Sequence, residues 1–378
     1  MSTAGEVWDV AVVGGGPAGF SAARTAAGAG ARVVVLERAV HPRYKTCGGG
    51  LIGASLAAVA EHIAVPAKAD ISAVTFTMMG RRPFTRHSPA PARPIIRMVN
   101  RADFDAVLRD AAVAAGADVR EHVTVRGLDE HADHVDVRLA DGDTVRARIV
   151  IGADGTSGVT GRHVGVALGG VDLGLEVELP VGSALAARWR NRLLLDWGHL
   201  PGSYGWVFPK GDVLTVGVIA SKGKSDETRA YLKGFVHRLG LDGIEPVRDS
   251  GHLTRWRTPA SPLATARVAV VGDAAGLLEP WTREGISFAT RSGALAGAAA
   301  AAKDLDGYVS AVNATLEPEM DAGRQLLAAF ERRPALFHTA VSTRVGWAAF
   351  TRLCRGDMTF ASAIGHRSVR RAIALATR

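Results

Sequence analysis

The sequence predicts an α/β fold in which a Rossmann-like domain is interleaved with a second domain rich in β-sheet and is followed by a helical C-terminal region. Three observations predict it. The chain opens with an apolar strand, a glycine-rich turn and a helix. Buried-strand patterns return at "ARIVIGADG" and "RVAVVGDAAG", and helical periodicity dominates from Glu284 onward. With 378 residues, 47% of them hydrophobic, the chain is large enough to bury an ample core.

Each element of the opening unit has its own signal. "VWDVAVV" at Val7–Val13 is typical of a buried strand, "GGGPAG" of a tight turn, "FSAARTAAGAG" of a helix and "ARVVVLE" of the next strand. Asn100 is a good N-cap for a second helix, which would place Phe104 and Leu108 on one face. Residues 119–151 alternate as a small antiparallel sheet does.

These patterns predict a discontinuous nucleotide-binding domain that a sheet-rich domain interrupts twice. The sheet-rich domain is the expected substrate-binding domain, with one helix near residues 226–239. The predicted bounds are residues 1–65, 100–168 and 263–330 for the nucleotide-binding domain, 66–99 and 169–262 for the substrate-binding β-sheet domain, and 331–378 for a basic helical C-terminal region.

Composition excludes several classes of protein. Two cysteines indicate a reducing compartment and exclude a disulfide scaffold. The first strand leaves no room for a signal peptide, and the longest apolar run, Ala294–Ala302, is about half as long as a membrane span. No zinc-type cluster, P-loop or Ser-His-Asp arrangement stands out, and the twelve histidines are scattered, so no metal is expected. We therefore expect a cytoplasmic protein.

The net charge of +8 is concentrated near the C-terminus. Residues 321–378 contain ten arginines and three acidic residues, so they contribute +7 and the remaining chain contributes +1. Such a segment is typical of binding to nucleic acid, to an anionic membrane surface or to an acidic partner, and it is equally typical of a solvated helical face.

A dinucleotide site is predicted at the first turn. Gly14, Gly16 and Gly19 form G-x-G-x-x-G between a strand and a helix. The first glycine permits the tight turn, the second lets a pyrophosphate approach the backbone, and the third lets the helix pack closely on the strand. Glu37 ends the next strand 18 residues after Gly19, where a carboxylate accepts hydrogen bonds from a ribose.

Two later motifs indicate which dinucleotide binds. "GADG" at residues 152–155 and "VVGDAAG" at residues 270–276 each follow an apolar strand. An aspartate in that position binds a polyol hydroxyl, such as one on the ribityl chain of FAD. Each motif alone is equally typical of a strand-ending turn, but the three in this order favour FAD over a nicotinamide cofactor.

The order of these motifs, together with "RYKTCGGG", "RADFDAVL", "YGWVFPKGD" and "VVGDAAGLLEPWTREGIS", resembles FAD-dependent oxidoreductases of the geranylgeranyl reductase family. These lie in the broader superfamily related to aromatic hydroxylases and flavin halogenases. The resemblance covers about residues 7–300 and implies FAD as the cofactor.

The resemblance also implies where FAD binds. The adenine end would lie at the first glycine turn and the isoalloxazine beside "RYKTCGGG". A helix starting near Glu284 would aim its positive end at the flavin. Arg101 would lie near the pyrophosphate, Asp273 near the ribityl-phosphate region, and Asp154 would support the pyrophosphate side. The implied cofactor-binding residues are Gly14, Gly16, Pro17, Ala18, Gly19, Glu37, Arg38, Arg43, Lys45, Cys47, Gly48, Gly49, Arg101, Asp154, Gly272, Asp273, Gly285 and Ile286.

The sequence departs from the family pattern at three places. Arg283 stands in "PWTREG" where glycine is usual, and it would contact the flavin or the substrate, or point to solvent. Ser157 lies one place earlier than the family's serine, and Ile219 stands where a second glycine would follow Gly217.

Only one G-x-G-x-x-G is present, so NAD(P)H would bind without its own Rossmann domain. The sequence also allows another reductant, including an electron-donor protein, as the source of electrons.

An aromatic strand marks the predicted substrate side. Tyr204, Trp206 and Phe208 alternate in "SYGWVFPKGD", so an extended strand places them on one face. Periodicity fits a core face and a ligand wall equally, and the resemblance favours the wall, with Trp281 completing an apolar tunnel. Such a pocket suits a hydrophobic small molecule: an isoprenoid chain, a quinone or an aromatic polyketide. A lipid substrate would favour peripheral membrane contact over nucleic acid for the basic segment.

Cys47 and Tyr204 are the predicted catalytic residues. Beside a flavin, either one, or a water molecule, would protonate a substrate carbon after hydride transfer, although Cys47 would equally fill space. The leading hypothesis is reduction of carbon–carbon double bonds in an isoprenoid chain. The alternatives are a monooxygenase, a halogenase (whose W-x-W-x-I-P signature is missing from "YGWVFP") and a non-enzymatic redox sensor.

Overall fold

The computed structural model describes residues 7–90 and 92–376, so residues 1–6, Pro91 and residues 377–378 of the predicted domain segments lie outside the description. The strands are β1 (Val7–Val13), β2 (Val33–Leu36), β3 (Gly50–Leu51), β4 (Ala67–Ile71), β5 (Ala73–Met78), β6 (Arg81–His87), β7 (Ile96–Val99), β8 (Asp118–Arg120), β9 (Val125–Glu130), β10 (Val135–Leu139), β11 (Thr144–Gly152), β12 (Leu168–Pro180), β13 (Arg192–Trp197), β14 (Tyr204–Lys210), β15 (Val213–Ser221), β16 (Arg248–Arg257) and β17 (Val268–Val270). The α-helices are α1 (Pro17–Gly28), α2 (Gly53–Val59), α3 (Arg101–Ala114), α4 (Thr160–Val164), α5 (Ser183–Trp189), α6 (Ser225–Arg238), α7 (Ile286–Ala302), α8 (Leu305–Thr315), α9 (Glu317–Arg332), α10 (Pro334–Ser342), α11 (Arg344–Arg355), α12 (Phe360–Gly365) and α13 (Arg367–Ala376).

A seven-stranded sheet carries the predicted nucleotide turn. Its order is β8-β2-β1-β11-β10-β9, and β17 pairs with the end of β11. The strands β8, β2, β1, β11 and β17 are parallel, and their apolar runs are covered on both faces, so that Val10 and Val34 are fully buried. This sheet with its helices confirms the predicted α/β fold with a Rossmann-like core.

The predicted antiparallel sheet of residues 119–151 does not stand alone. The strands β9, β10 and β11 pair antiparallel as predicted, but β8 pairs parallel with β2 and β11 pairs parallel with β1. The prediction of a small sheet was wrong in this respect because alternation reports which residues are buried and does not identify the neighbouring strand.

A second seven-stranded sheet follows the order β16-β12-β15-β14-β13-β5-β6 and is antiparallel except between β13 and β5. One face packs against α6, where Tyr231 and Phe235 are buried against Val207 and Val218. The opposite face carries the predicted aromatic row of β14. A three-stranded sheet, β3-β7-β4, lies beside it.

Helices α1 and α7 pack with their backbones in contact. A Cβ on Gly293 would overlap the carbonyl oxygen of Ala18, and a Cβ on Gly297 would overlap that of Ala22. Glycine at these two positions of α7 is therefore what allows the close approach, which fixes α7 relative to the first turn of α1.

The C-terminal helices pack onto the remainder of the chain with apolar faces. Helix α9 contacts α8, α10, α12 and α13, while α10 contacts β5 and α11 contacts α2. Trp347 of α11 is buried and donates its indole proton to the carbonyl oxygen of His87 at 2.9 Å. Among the helices within residues 7–376, none has both the length and the apolar character needed to cross a bilayer.

Candidate active site

One continuous cavity of about 1210 Å³ joins the predicted cofactor residues to the predicted substrate residues. It is lined at one end by the glycine-rich turn, in the middle by the loop that carries Cys47, and at the other end by residues of α9–α13 such as Phe330. All the predicted site residues line it except Gly19 and Gly272, which lie in the packing behind its wall.

The glycine-rich turn has the geometry that its spacing predicts. Gly14 has a φ of +103°, and a Cβ on Gly19 would overlap the carbonyl oxygen of Gly14. Gly16 instead faces the cavity: within 4 Å of a Cβ placed there, the neighbouring atom is an Nη2 of Arg43 at 3.8 Å. The turn thus leaves room for a phosphate group at the N-terminus of α1.

Glu37 closes this turn from the end of β2. Its Oε2 accepts a hydrogen bond from the Gly15 amide at 2.5 Å, and its Oε1 accepts one from the Ala39 amide at 2.8 Å. Each carboxylate oxygen has a second lone pair, so the group retains capacity for a ribose hydroxyl. Arg38 lines the cavity beside it.

Two arginines lie close to the turn and share one acidic partner. Arg101 donates two hydrogen bonds of 2.8 Å to the carboxylate of the fully buried Asp105, and Arg43 lies 3.3 Å from the same carboxylate. Burial alone lowers the pKa of Arg101, but Asp105 and the thiol of Cys47 together raise it above its ordinary value. Arg101 is therefore a permanent cation between the predicted pyrophosphate region and Cys47.

Asp273 belongs to a second charged group. His252 of β16 places Nε2 3.7 Å from Oδ2 of Asp273, and Lys45 places Nζ 3.1 Å from the His252 ring. Burial lowers the pKa of Lys45. Burial opposes ionisation of Asp273, but His252 and Lys45 hold its pKa below the ordinary value. Asp273 thus remains an anion that is able to accept hydrogen bonds from a polyol.

Helix α7 begins at Ile286, close to the predicted start, and its first turn faces the cavity through Gly285 and Ile286. Glu284 accepts hydrogen bonds from the Ser287 amide at 2.8 Å and from the Ser287 hydroxyl at 2.7 Å. Burial raises the pKa of Glu284. The first turn of α7 places the positive end of the helix at the cavity wall, where it would stabilise negative charge.

Two further predicted residues are held by hydrogen bonds to neighbouring segments. Gly272 has a φ of +51° and donates its amide to the Ser292 hydroxyl at 3.0 Å. Asp154 accepts hydrogen bonds from the amides of Val159 at 2.6 Å and Thr160 at 3.1 Å, so it caps the start of α4. Both residues shape the cavity wall through this packing.

The requirement for glycine at the positions after Cys47 has a cause that the sequence did not indicate. A Cβ on Gly48 would lie 2.8 Å from the Phe208 ring, and a Cβ on Gly49, whose φ is +74°, would overlap the carbonyl oxygen of Val99. The resemblance implied that these glycines let backbone approach the flavin ring. In the structure, the contacts that exclude a side chain are with β14 and β7.

The peptide of Cys47 is held on both sides by side chains of the second seven-stranded sheet. Its amide donates to Glu176 at 2.9 Å, and its carbonyl oxygen accepts from Lys210 at 3.2 Å. Glu176 and Lys210 are 2% and 4% exposed, and burial raises the pKa of Glu176. These two side chains therefore fix the backbone at Cys47, and the Gly49 amide donates a hydrogen bond to the Cys47 Sγ at 3.4 Å.

The aromatic row of β14 lies on the cavity side, as its alternation predicts. The Tyr204 hydroxyl donates to the carbonyl oxygen of Thr282 at 2.5 Å, and burial raises the pKa of Tyr204. Trp206 lies between Tyr204 and Phe208, with ring centroids 5.9 and 6.0 Å away. Tyr204 thus ties the row to the loop before α7.

Trp281 joins this loop to the C-terminal helices. Its ring centroid lies 5.8 Å from Phe330, 5.2 Å from Phe337 and 5.6 Å from Phe360. Together with Phe350, Leu353 and Ile364, these side chains form an apolar chamber at the far end of the cavity. We call this apolar end of the cavity, which Ala349 and Cys354 of α11 also line, the far chamber.

Arg283 does not point to solvent. Its side chain is 4% exposed, its Nε lies 2.8 Å from Oδ2 of the equally buried Asp172, and its Nη1 donates to the carbonyl oxygen of Trp281 at 2.6 Å. The guanidinium also stands over the Tyr204 ring, 5.8 Å from its centroid. Arg283 therefore fastens the loop before α7 to β12.

Sequence reasoning missed Glu176, Lys210, His252 and Asp172, as well as the far chamber. Asp172 and Glu176 lie in β12, Lys210 ends β14, and His252 lies in β16, so no shared spacing connects them in the sequence. For Asp172 and Glu176, the available signal was an acidic side chain within a mainly apolar strand, because such a side chain is rarely buried without a partner.

The second cysteine also lies in the far chamber. Cys354 lines it, and burial raises the pKa of its thiol to about 12. Cys354 and Cys47 are both free.

The residues around the cavity fit FAD. The buried Nε1 of Trp206 and Oγ1 of Thr254 have no hydrogen-bond partner within the described structure, and both residues line the cavity. Arg43, Lys45 and Arg101 supply positive charge for a pyrophosphate. The volume exceeds the upper end of the range of about 300–1000 Å³ for a single-ligand pocket, which leaves space for a second molecule beside a dinucleotide.

Comparison with known proteins agrees with this fit. Residues 7–181 match the FAD binding domain family. The chain is 30% identical over 320 residues to digeranylgeranylglycerophospholipid reductase 3 of Methanosphaera stadtmanae, covering 78% of this chain and 77% of that protein. It is also 30% identical over 311 residues to geranylgeranyl diphosphate reductase of Rhodobacter capsulatus, covering 78% and 75%.

Solved structures share the fold at lower identity. A geranylgeranyl bacteriochlorophyll reductase-like protein of Thermoplasma acidophilum superposes with a TM-score of 0.79 at 22% identity, covering 95% of this chain and 99% of that one. A flavin-dependent brominase superposes with a TM-score of 0.73 at 18% identity, covering 98% and 99%. From its relatives and from the FAD site that its own residues form, the chain belongs to the geranylgeranyl reductase family of FAD-dependent oxidoreductases.

Proposed function

We propose that this protein reduces carbon–carbon double bonds in the isoprenoid chain of a hydrophobic substrate. The observation that carries the proposal is the continuity of the cavity, which runs from the glycine-rich turn past Cys47 into the aromatic far chamber. A long apolar chain fits a chamber of this shape. The relatives named above, which act on geranylgeranyl compounds with different head groups, support the isoprenoid part of the proposal.

Bound FAD supplies a hydride once it has been reduced. The protein must then hold the double bond beside it, exclude water and supply a proton to the second carbon, which makes the product two mass units heavier per bond. Trp206, Phe208 and Trp281 exclude water along the chain. NADH or NADPH is the proposed source of electrons, with an electron-donor protein as the other candidate.

The test is a single-turnover assay with dithionite-reduced enzyme and a twenty-carbon polyprenyl substrate under argon, followed by mass spectrometry. We expect products heavier by two mass units, and we expect Ala349→Trp to lower their yield about tenfold because Ala349 of α11 lines the far chamber. Ala348→Trp is the matched control, since Ala348 is the exposed neighbour on the same helix. FAD content should stay equal in both variants.

The same assay separates the alternatives. Products heavier by sixteen mass units when oxygen is admitted would favour a monooxygenase, and incorporation of bromide would favour a halogenase. Unchanged substrate under both conditions, with full FAD content, would contradict the reductase proposal.

Cys47 is the proposed proton source. Its peptide is fixed by Glu176 and Lys210, and the cationic Arg101 interacts with its thiol. We expect Cys47→Ala to lower turnover by about 100-fold, as loss of a general acid does, with FAD binding retained. Cys354→Ala is the control because Cys354 lines the same cavity in the far chamber. Wild-type turnover in Cys47→Ala would exclude this role.

Peripheral membrane contact is proposed for the outer side of the C-terminal helices. Arg344, Arg352, Arg367, Arg370 and Arg371 are exposed on α11 and α13, whose inner sides contribute Leu353 and Val369 to the cavity wall. A basic outer face beside an apolar chamber suits delivery of a lipid from an anionic surface. In the assay above, substrate in anionic vesicles should then react faster than substrate in neutral ones.

A further inference from the structure

A hairpin at the edge of the nucleotide-binding sheet brings two histidines and an aspartate together. The turn between β9 and β10 is closed by the His131 amide, which donates to the carbonyl oxygen of His134 at 2.8 Å. Arg267 supports the turn from outside through its Nε, which donates to the carbonyl oxygens of His131 at 3.2 Å and Ala132 at 3.0 Å. The turn is therefore held in one conformation by groups outside the histidine side chains.

Three potential ligand atoms converge on one side of this hairpin. Nε2 of His131 lies 3.4 Å from Oδ2 of Asp136, and Nε2 of His134 lies 3.5 Å from Oδ1 of the same carboxylate. The two rings stack with centroids 4.6 Å apart. One ligand atom from each of the three residues lies within 4.8 Å of the others.

These separations are close to those of a tetrahedral zinc site. Ligands bonded to Zn²⁺ at about 2.0–2.1 Å in a tetrahedron lie about 3.3–3.4 Å from one another. The distance of 3.4 Å from His131 to Oδ2 agrees with that value, whereas His134 approaches the other oxygen of the same carboxylate, and the set of ligand atoms lies within 4.8 Å of one another. Rotation of the Asp136 carboxylate and of the imidazole rings would therefore bring Oδ2 and both Nε2 atoms around one ion.

A fourth residue orients one of the ligands. Nδ1 of His134 lies 2.6 Å from Oδ1 of Asp133, which places the imidazole proton on Nδ1 and leaves Nε2 with its lone pair. This carboxylate–histidine arrangement is the one that zinc-binding histidines use. Arg146 donates to Oδ1 of Asp136 at 2.9 Å, and this hydrogen bond leaves Oδ2 available.

We propose that His131, His134 and Asp136 bind a divalent transition metal, with Zn²⁺ the best match and water as the fourth ligand. No metal was expected from the sequence, in which the histidines look scattered and no zinc-type cluster stands out; the three residues have the spacing H-x-x-H-x-D. Of these residues none lines the FAD cavity, so the site is separate from the flavin chemistry. Bound metal would clamp β9 to β10 and stabilise the folded hairpin by mass action.

The test is Zn²⁺ titration of tag-free, chelator-treated holoprotein at neutral pH by calorimetry, with Co²⁺ absorption as a report of tetrahedral geometry. We expect one ion per chain. His131→Ala and His134→Ala should each raise the Kd by more than about tenfold, and Asp133→Asn by about tenfold through the orienting hydrogen bond. His237→Ala is the control, because His237 is exposed and paired with Asp242 at 2.7 Å but lies outside the hairpin.

His131 is exposed and the His134 side chain is partly exposed in a hairpin away from the FAD cavity, so the variants should keep wild-type FAD content and unfolding temperature. Equal affinity and stoichiometry in the wild type and in the His131→Ala/His134→Ala double variant would overturn the proposal. An equal loss in the His237→Ala control would overturn it as well, since binding would then not depend on this hairpin.

Discussion

Arg283→Ala is expected to lower the free energy of unfolding by about 3–5 kcal/mol, because it leaves the carboxylate of Asp172 buried without its cation. The two side chains are 4% and 3% exposed and are joined at 2.8 Å. The loop would also lose the hydrogen bond from Arg283 to the carbonyl oxygen of Trp281. Urea unfolding at fixed FAD concentration measures the change.

A second substitution at the same position distinguishes the contribution of the ion pair from that of backbone strain. Arg283 has a φ of +58°, a conformation that glycine adopts without strain and other residues adopt at a cost of about 1 kcal/mol or more. Arg283→Gly should therefore be less destabilising than Arg283→Ala, and Arg283→Gly/Asp172→Asn should recover most of the loss. If the single variants each lost less than about 1 kcal/mol of unfolding free energy, and these losses added in the double variant, the two residues would not be a coupled pair.

Gly19→Ala is expected to weaken FAD binding at least about 100-fold, or about 2.7 kcal/mol, because its new methyl group would overlap the carbonyl oxygen of Gly14. That oxygen is backbone, and Gly14 is itself confined by the carbonyl oxygen of Ala153. Only a shift of the whole turn relieves the overlap. Flavin retained after dialysis and flavin fluorescence on titration measure the affinity.

Gly28→Ala is the matched control because both glycines lie in α1. Gly28 ends the helix, has no atom within 4 Å of a Cβ position, and its φ is not positive. Alanine there should be neutral or stabilise the helix by up to about 1 kcal/mol with FAD affinity unchanged. Equal FAD affinity in Gly19→Ala and Gly28→Ala would show that the turn tolerates a side chain.

The fold and the cofactor side of the site were predictable because their signals are local. The G-x-G-x-x-G turn, the strand ending at Glu37 and the helix starting at Ile286 each follow from neighbouring residues with fixed conformational needs. The alternation of Tyr204, Trp206 and Phe208 likewise predicted one shared face, and that face borders the cavity.

The remaining parts of the site depend on contacts between distant segments. Glu176 meets the Cys47 amide across 129 positions of sequence, and Arg283 meets Asp172 across 111. Their partners are strands that carry no motif, so spacing holds no information about them. The excess of arginine in residues 321–378 drew attention to the outer faces of the last helices, while their apolar inner faces, which border the far chamber, gave no comparable compositional signal.

The far chamber is formed mainly by α9–α13, whereas the residues around Cys47 come from segments before them. Under the proposed function, the part of the protein that limits the length of the substrate chain is therefore encoded separately from the part that carries the chemistry. Substitutions in the last helices would then change the accepted chain length without disturbing the residues around Cys47.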